Sequence, residues 1–231
     1  MNRSIARSSK LGALCHIKSQ GFTPATVIDV GVQKGTPELY AVFPESFHLL
    51  IEPVAEQEVV MRQICESLPR AEYVLAAAGA RTATSNLRVS HNAMYSNLTT
   101  AEDKGDAMSS VRTVPTVALD DLASSRNFEA PILLKIDVDG QEVDVLNGAK
   151  RVLREKVEYV IVESTLFGQI NEVIKVMVDN EFAIYDILEP AYRRLDGALW
   201  QVDLVFVRKD GQFRGERGYA SDEEMRKLKV S

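Results

Sequence analysis

The stretch 27-VIDVGVQKGTPELY-40 runs a mostly apolar segment into a glycine turn and then into a helix start. A continuous apolar run of this length suits a parallel strand covered on both faces. Working outward, similar runs at 26–30, 47–52, 72–78, 131–137, 158–163, 182–188 and 202–208 predict seven strands. Helical stretches fall between them: 54–68, which places Met61, Ile64, Cys65 and Leu68 on one stripe, then 140–156 and about 169–180. Strand and helix alternate, so the expected architecture is a doubly wound α/β sheet.

Composition sets limits on partners. The chain has 231 residues, 45% of them hydrophobic and 26% charged, enough for one sizeable core. Its formal charge of −6 leaves no basic footprint, so nucleic acid is not expected as a partner. Cys15 and Cys65 are isolated, which suits a reducing compartment. No run approaches the roughly 20 apolar residues of a membrane span, and a cytoplasmic location is expected.

The first 24 residues are set apart as a basic segment with a surface helix, residues 25–210 as the domain proper, and 211–231 as a solvated tail. Between the third and fourth strands, 79–130 is an insert with hairpin arms at 86–90 and 111–119. Its polar tip, 91–110, is expected to act as a mobile lid.

The glycine turn discriminates among ligands. A P-loop needs GxxxxGK[ST], but Lys34-Gly35-Thr36 misplaces the lysine. A dinucleotide fold wants GxGxxG, and Gln33 stands where the middle glycine belongs. A nucleoside ligand without phosphates needs only a glycine-floored turn, and S-adenosylmethionine fits. Glu52, 21 positions after Gly31 at the end of the second strand, is placed to accept hydrogen bonds from ribose hydroxyls.

In 132-ILLKIDVDGQEVDVLNGA-149, an apolar strand ends in Asp137 and Asp139. Carboxylates at that end of a parallel strand lie where ligands bind. Asp139 also stands three residues before Glu142, the spacing of a capping box, so pocket and helix cap both remain open for it. Asp137 is the candidate base, its carboxyl expected to rise toward neutrality through burial and Asp139.

These residues resemble the FkbM family of S-adenosylmethionine-dependent methyltransferases, whose K-I-D-x-E-G-x-E turn and V-L-x-G-A helix stand here as 135-KIDVDGQE-142 and 145-VLNGA-149. The pieces 28-IDVG-31, 50-LIEP-53, 76-AAAG-79, 118-ALDDL-122, 160-VIVE-163 and 203-DLVFVR-208 are similar too. Val32-Gln33, Pro37 and Asp139 depart from the family pattern. The resemblance implies a mostly parallel, seven-stranded Rossmann-like methyltransferase sheet with an antiparallel last strand. It implies S-adenosylmethionine as cofactor, held by Asp29, Gly31, Gly35, Glu52 and Ala78, with Asp137 and Asp139 in the catalytic centre. It also implies O-methylation of a hydroxyl on a small molecule or glycan: a sugar, glycolipid or secondary metabolite.

Two further readings compete with this one. One is a cofactor-binding module that has lost catalysis; the other is an NAD-linked dehydrogenase, disfavoured by the missing GxGxxG. His91 is a second candidate base, whereas His16 and His48 read as structural or exposed. Asp137, Asp139 and Glu163 offer oxygen ligands to a magnesium ion, but no third ligand stands at an established spacing, and no metal is expected.

Overall fold

A computed structural model describes residues 6–90, 96–99 and 103–215, together with 218, 220 and 225. Helix α1 (Lys10–Ser19) is followed by β1 (Thr26–Val30), α2 (Pro37–Val42), β2 (Phe47–Glu52), a 3₁₀ turn at 55–57, α3 (Glu58–Ser67), β3 (Ala71–Leu75) and β4 (Ala77–Ala78). Then come β5 (Ala83–Ser90), β6 (Ser96–Thr99), β7 (Ser109–Val117), α4 (Leu119–Ser125), β8 (Ile132–Ile136), α5 (Glu142–Asn147), α6 (Lys150–Glu155) and β9 (Val157–Thr165). Helix α7 (Ile170–Asp179), β10 (Phe182–Tyr192) and β11 (Leu199–Arg208) close the order.

The main sheet has seven strands in the order β10-β11-β9-β8-β1-β2-β3, all parallel except β11, which runs against both neighbours. Strands β1 and β8 are buried along their whole length, as their unbroken apolar runs require of central parallel strands. One face packs Leu134, Val162, Leu204 and Phe206 under α4 to α7. The other carries Leu133, Ile161 and Val205 against α1 and α2. The sheet order reverses between β1 and β8, which opens a crevice at their carboxyl ends.

Several local expectations change. The strand expected over 72–78 breaks at Ala76, and β4 leaves the main sheet to pair with β7. The helix expected over 140–156 divides at Gly148, whose carbonyl accepts from Asp120 N–H; the Asp120 carboxylate caps α6 through the N–H groups of Arg151 and Val152. The insert contributes β5, β6 and β7, which with β4 form a four-stranded sheet in the order β4-β7-β5-β6. Its arms β5 and β7 pair as expected, while residues 96–99 of the presumed tip form a strand because Leu98 packs against Leu87 and Val89. Asp103 is held by Arg88. Residues 91–95 and 100–102 of the presumed lid lie outside the described residues, and with them His91.

Neither end is merely a surface appendage. In α1, Ala13, Leu14 and Ile17 are fully buried against the sheet. Phe213, from the segment expected to be solvated, packs its ring on Phe22, Tyr159 and Tyr185. Among the described residues no helix is long and apolar enough to cross a membrane.

Candidate active site

A cavity of about 500 Å³ occupies the crevice. The ends of β1, β2, β8 and β9 supply its base. The turn at 31–38 forms one wall, and Leu87, Ser96, Asn97 and Leu98 of the insert face it.

The turn follows from its glycines. Gly31 has φ +77°, and a Cβ there would fall 1.8 Å from the carbonyl oxygen of Asp137, so only glycine lets the ends of β1 and β8 meet this closely. Gly35 has φ +92°. Gln33 takes a positive φ as well, and its N–H donates to Glu52 Oε2 at 3.0 Å. Val54 N–H donates to Glu52 Oε1 at 2.9 Å. One carboxylate thus pins the turn and the start of the next segment, and burial pushes its carboxyl up. Glu52 lines the cavity, and a carboxylate oxygen that accepts one hydrogen bond has capacity for a second.

Asp29 does not reach the cavity; it is fully enclosed behind the turn. Its carboxylate accepts from Tyr40 Oη at 2.6 Å and Thr36 Oγ1 at 3.3 Å and pairs with Lys135 Nζ at 3.0 Å. The adjacent register of β1 and β8 brings this about, since Asp29 lies beside Lys135. Direct contact with a ligand is therefore replaced by support of the residues that line the cavity.

Lys135 is the residue that strand reading passed over. Its ammonium, 3% exposed, also donates to Gly31 O at 2.9 Å and stands 3.3 Å from Asp137 Oδ2. Burial works against its charge, but Asp29 and then Asp137 overcome this and hold it above its ordinary value. Asp137, directly after β8, faces the cavity. Burial pushes its carboxyl up, yet the charge of Lys135, a hydrogen bond with Glu163 and the charge of Lys10 outweigh burial and leave it below the usual range. The expectation that burial and Asp139 would drive Asp137 toward neutrality is thus corrected, because the buried ammonium of Lys135 and the hydrogen bond with Glu163 favour the charged carboxylate.

The proton resides on Glu163 instead. Burial, then the hydrogen bond and charge of Asp137, push its carboxyl up to about 9. The Gln201 side-chain amide donates to Glu163 Oε1. Beyond them, Lys10 of α1 pairs with Asp203 at 3.1 Å and lines the cavity. Neither Lys10 nor Gln201 carried a local motif; both arrive from opposite ends of the chain.

Asp139 is exposed at the rim and does not cap α5. The N-cap residue is Gln141, without a side-chain cap bond. Gly140, at φ +80°, turns the chain so that Glu142 Oε1 accepts from Gly140 N–H instead. Ala78 lines the cavity beside Ala77. His48 is buried with Nε2 donating to Phe43 O, and His16 meets Tyr185 Oη at 3.2 Å. Among the described residues no group of His, Cys, Asp and Glu is arranged to hold a metal ion.

Comparison with known proteins follows the same lines. The family model described as methyltransferase FkbM domain matches residues 29–217. No curated protein matches the chain. Among solved structures, a methyltransferase FkbM from Methylobacillus flagellatus KT aligns with a TM-score of 0.46 and 16% identity over 78% of this chain. This chain spans 43% of that one. An O-methyltransferase from Bacillus cereus in complex with SAH aligns with a TM-score of 0.52 and 12% identity, over 90% of this chain and 84% of that one, a likeness of fold.

Proposed function

We propose, from the premise that this chain belongs to the FkbM methyltransferase family, that it methylates a hydroxyl on a small molecule or glycan. S-adenosylmethionine is the methyl donor. The residues present suit it: a glycine turn without a phosphate-binding lysine, Glu52 with acceptor capacity left for ribose hydroxyls, and carboxylates that favour a nearby sulfonium. Asp29 and Ala78 serve as support and wall.

The observation that carries the reading is a charged Asp137 on the cavity, held by Lys135 and backed by a protonated Glu163. When bound, the cofactor supplies an electrophilic methyl group whose bond to sulfur breaks as the acceptor oxygen bonds to carbon. In that step Asp137 orients the acceptor hydroxyl and receives its proton. A weakly basic carboxylate suffices, because the oxygen becomes strongly acidic as the new bond forms. Glu163 and Gln201 fix the carboxylate, and the insert strand β6 shields the reacting end from water. The acceptor is a sugar, glycolipid or secondary metabolite.

Calorimetry with S-adenosylmethionine, S-adenosylhomocysteine and NAD tests the first half. Binding of the first two and not the third is expected; NAD binding alone would overturn it. Methyl transfer from labelled cofactor to hydroxylated acceptors, lost on blocking the hydroxyl, tests the second half.

A further inference from the structure

Large apolar side chains that stay exposed gather at one corner of the sheet. Among the described residues nine are exposed, and five of them, Leu166, Phe167, Tyr192, Leu195 and Trp200, lie in the loop after β9 and at the turn end of the β10–β11 hairpin. The hairpin overshoots its neighbour: β11 pairs with β9 only from Gln201 onward, whereas Tyr192 and Leu199 still pair with each other beyond that point. Its turn is closed by Arg193 N–H to Ala198 O at 2.8 Å and Gly197 N–H to Arg193 O at 3.0 Å, so the tip is a built structure.

The chemistry of the corner is specific. Phe167 and Trp200 lie 5.6 Å apart, and the Arg193 guanidinium sits over both rings, 5.1 and 5.9 Å from their centroids. Leu195, at 81% exposure, stands at the tip beside Arg194. Residues 190–200 carry two arginines and one aspartate; Asp196 pairs with Arg193 at 3.5 Å, and the stretch keeps one net positive charge, at the exposed Arg194, on a chain whose net charge is −6.

We infer that this hairpin corner docks on a lipid bilayer bearing anionic headgroups. A projecting tip buries its leucine most readily in a fluid that closes around it, whereas a folded partner would need a matching groove. Tryptophan and tyrosine rings prefer the headgroup level, where one edge is apolar and the other wet. Arginines beside them keep their charge among anionic phosphates while their stems stay in apolar surroundings. Gln201, the residue after Trp200, lines the cavity, so a bilayer reached by this corner lies beside the cavity's rim.

Trp200 is the sole tryptophan of the chain, which makes it a direct reporter. The full chain is mixed with vesicles of phosphatidylglycerol and phosphatidylcholine in equal parts, and separately with phosphatidylcholine alone. A blue shift of its emission and co-sedimentation are expected with the anionic vesicles, weakened by salt. Leu195→Asp and Arg194→Glu, both at exposed positions, should lose the shift while binding S-adenosylhomocysteine like the parent chain. Emission unchanged by either vesicle overturns the inference. So does a shift that appears on concentrating the chain without vesicles, which marks the corner as a contact between copies.

Discussion

Lys135 and Asp29 form an ion pair of 3.0 Å, 3% and 0% exposed, across the two central strands. Through Lys135 it joins the turn after β1 to Asp137, and so ties together two walls of the cavity. Removing one member of a buried pair leaves the other charge without compensation. Lys135→Met should therefore lower stability by about 3–5 kcal/mol in urea unfolding. A loss below about 1 kcal/mol would show that the hydroxyls of Tyr40 and Thr36, more than Lys135, satisfy Asp29.

Glu52 is expected to hold the ribose. Glu52→Ala should weaken S-adenosylhomocysteine binding by about 1.5–3 kcal/mol, the range for hydrogen bonds to a charged group. Because Glu52 also secures the N–H groups of Gln33 and Val54, circular dichroism must first establish that the variant is folded. Unchanged affinity in a folded variant removes Glu52 from the site.

Asp137→Asn keeps the shape of the side chain and removes its charge. Turnover should fall by about 10²–10⁴ with S-adenosylhomocysteine binding nearly intact. Asp139→Asn, at the exposed rim, should be milder. Normal turnover in the first variant together with a dead second one would reverse these roles.

Glu163 sets a pH dependence of unusual sign. Its carboxyl rises from 4.5 to about 9 on folding, so between those values the folded chain holds a proton that the unfolded chain has released. Stability from this group is thus full below about 4.5 and is lost as pH rises toward about 9. Asp137, lowered instead, acts in the opposite sense and only at the acid end. Unfolding of Glu163→Gln followed across pH should show a flatter profile through the neutral range; an unaltered profile would place the proton elsewhere.

Reading the chain in one dimension recovers what is periodic or contiguous. The apolar runs of β1, β2, β8 and β9 announce central strands, and 135-KIDVDGQE-142 marks the crevice. What it misses depends on register or on distant chain segments. Lys135 looks like a polar residue in a strand until Asp29 is set beside it. Lys10 and Gln201 enter the site from positions 191 residues apart, and no local pattern joins them. Asp139 fits a capping spacing, but Gly140 bends the chain away from it, a detail of φ that spacing does not carry. The break at Gly148 has a similar origin: a Cβ there would fall 2.1 Å from the carbonyl oxygen of Gly79, in another part of the fold.

The pairing of β1 with β8 sets the timetable of folding. Thr26 lies opposite Ile132, 106 residues further along the chain. At roughly 5–20 residues per second of synthesis, β1 waits about 5–20 s for its partner. During that interval β1, β2 and β3 can assemble, but the inner edge of β1 stays open and Gly31 has no Asp137 carbonyl to pack against. The reactive crevice consequently cannot exist on a half-made chain, and a nascent protein released before residue 137 would present a bare, apolar sheet edge to its neighbours.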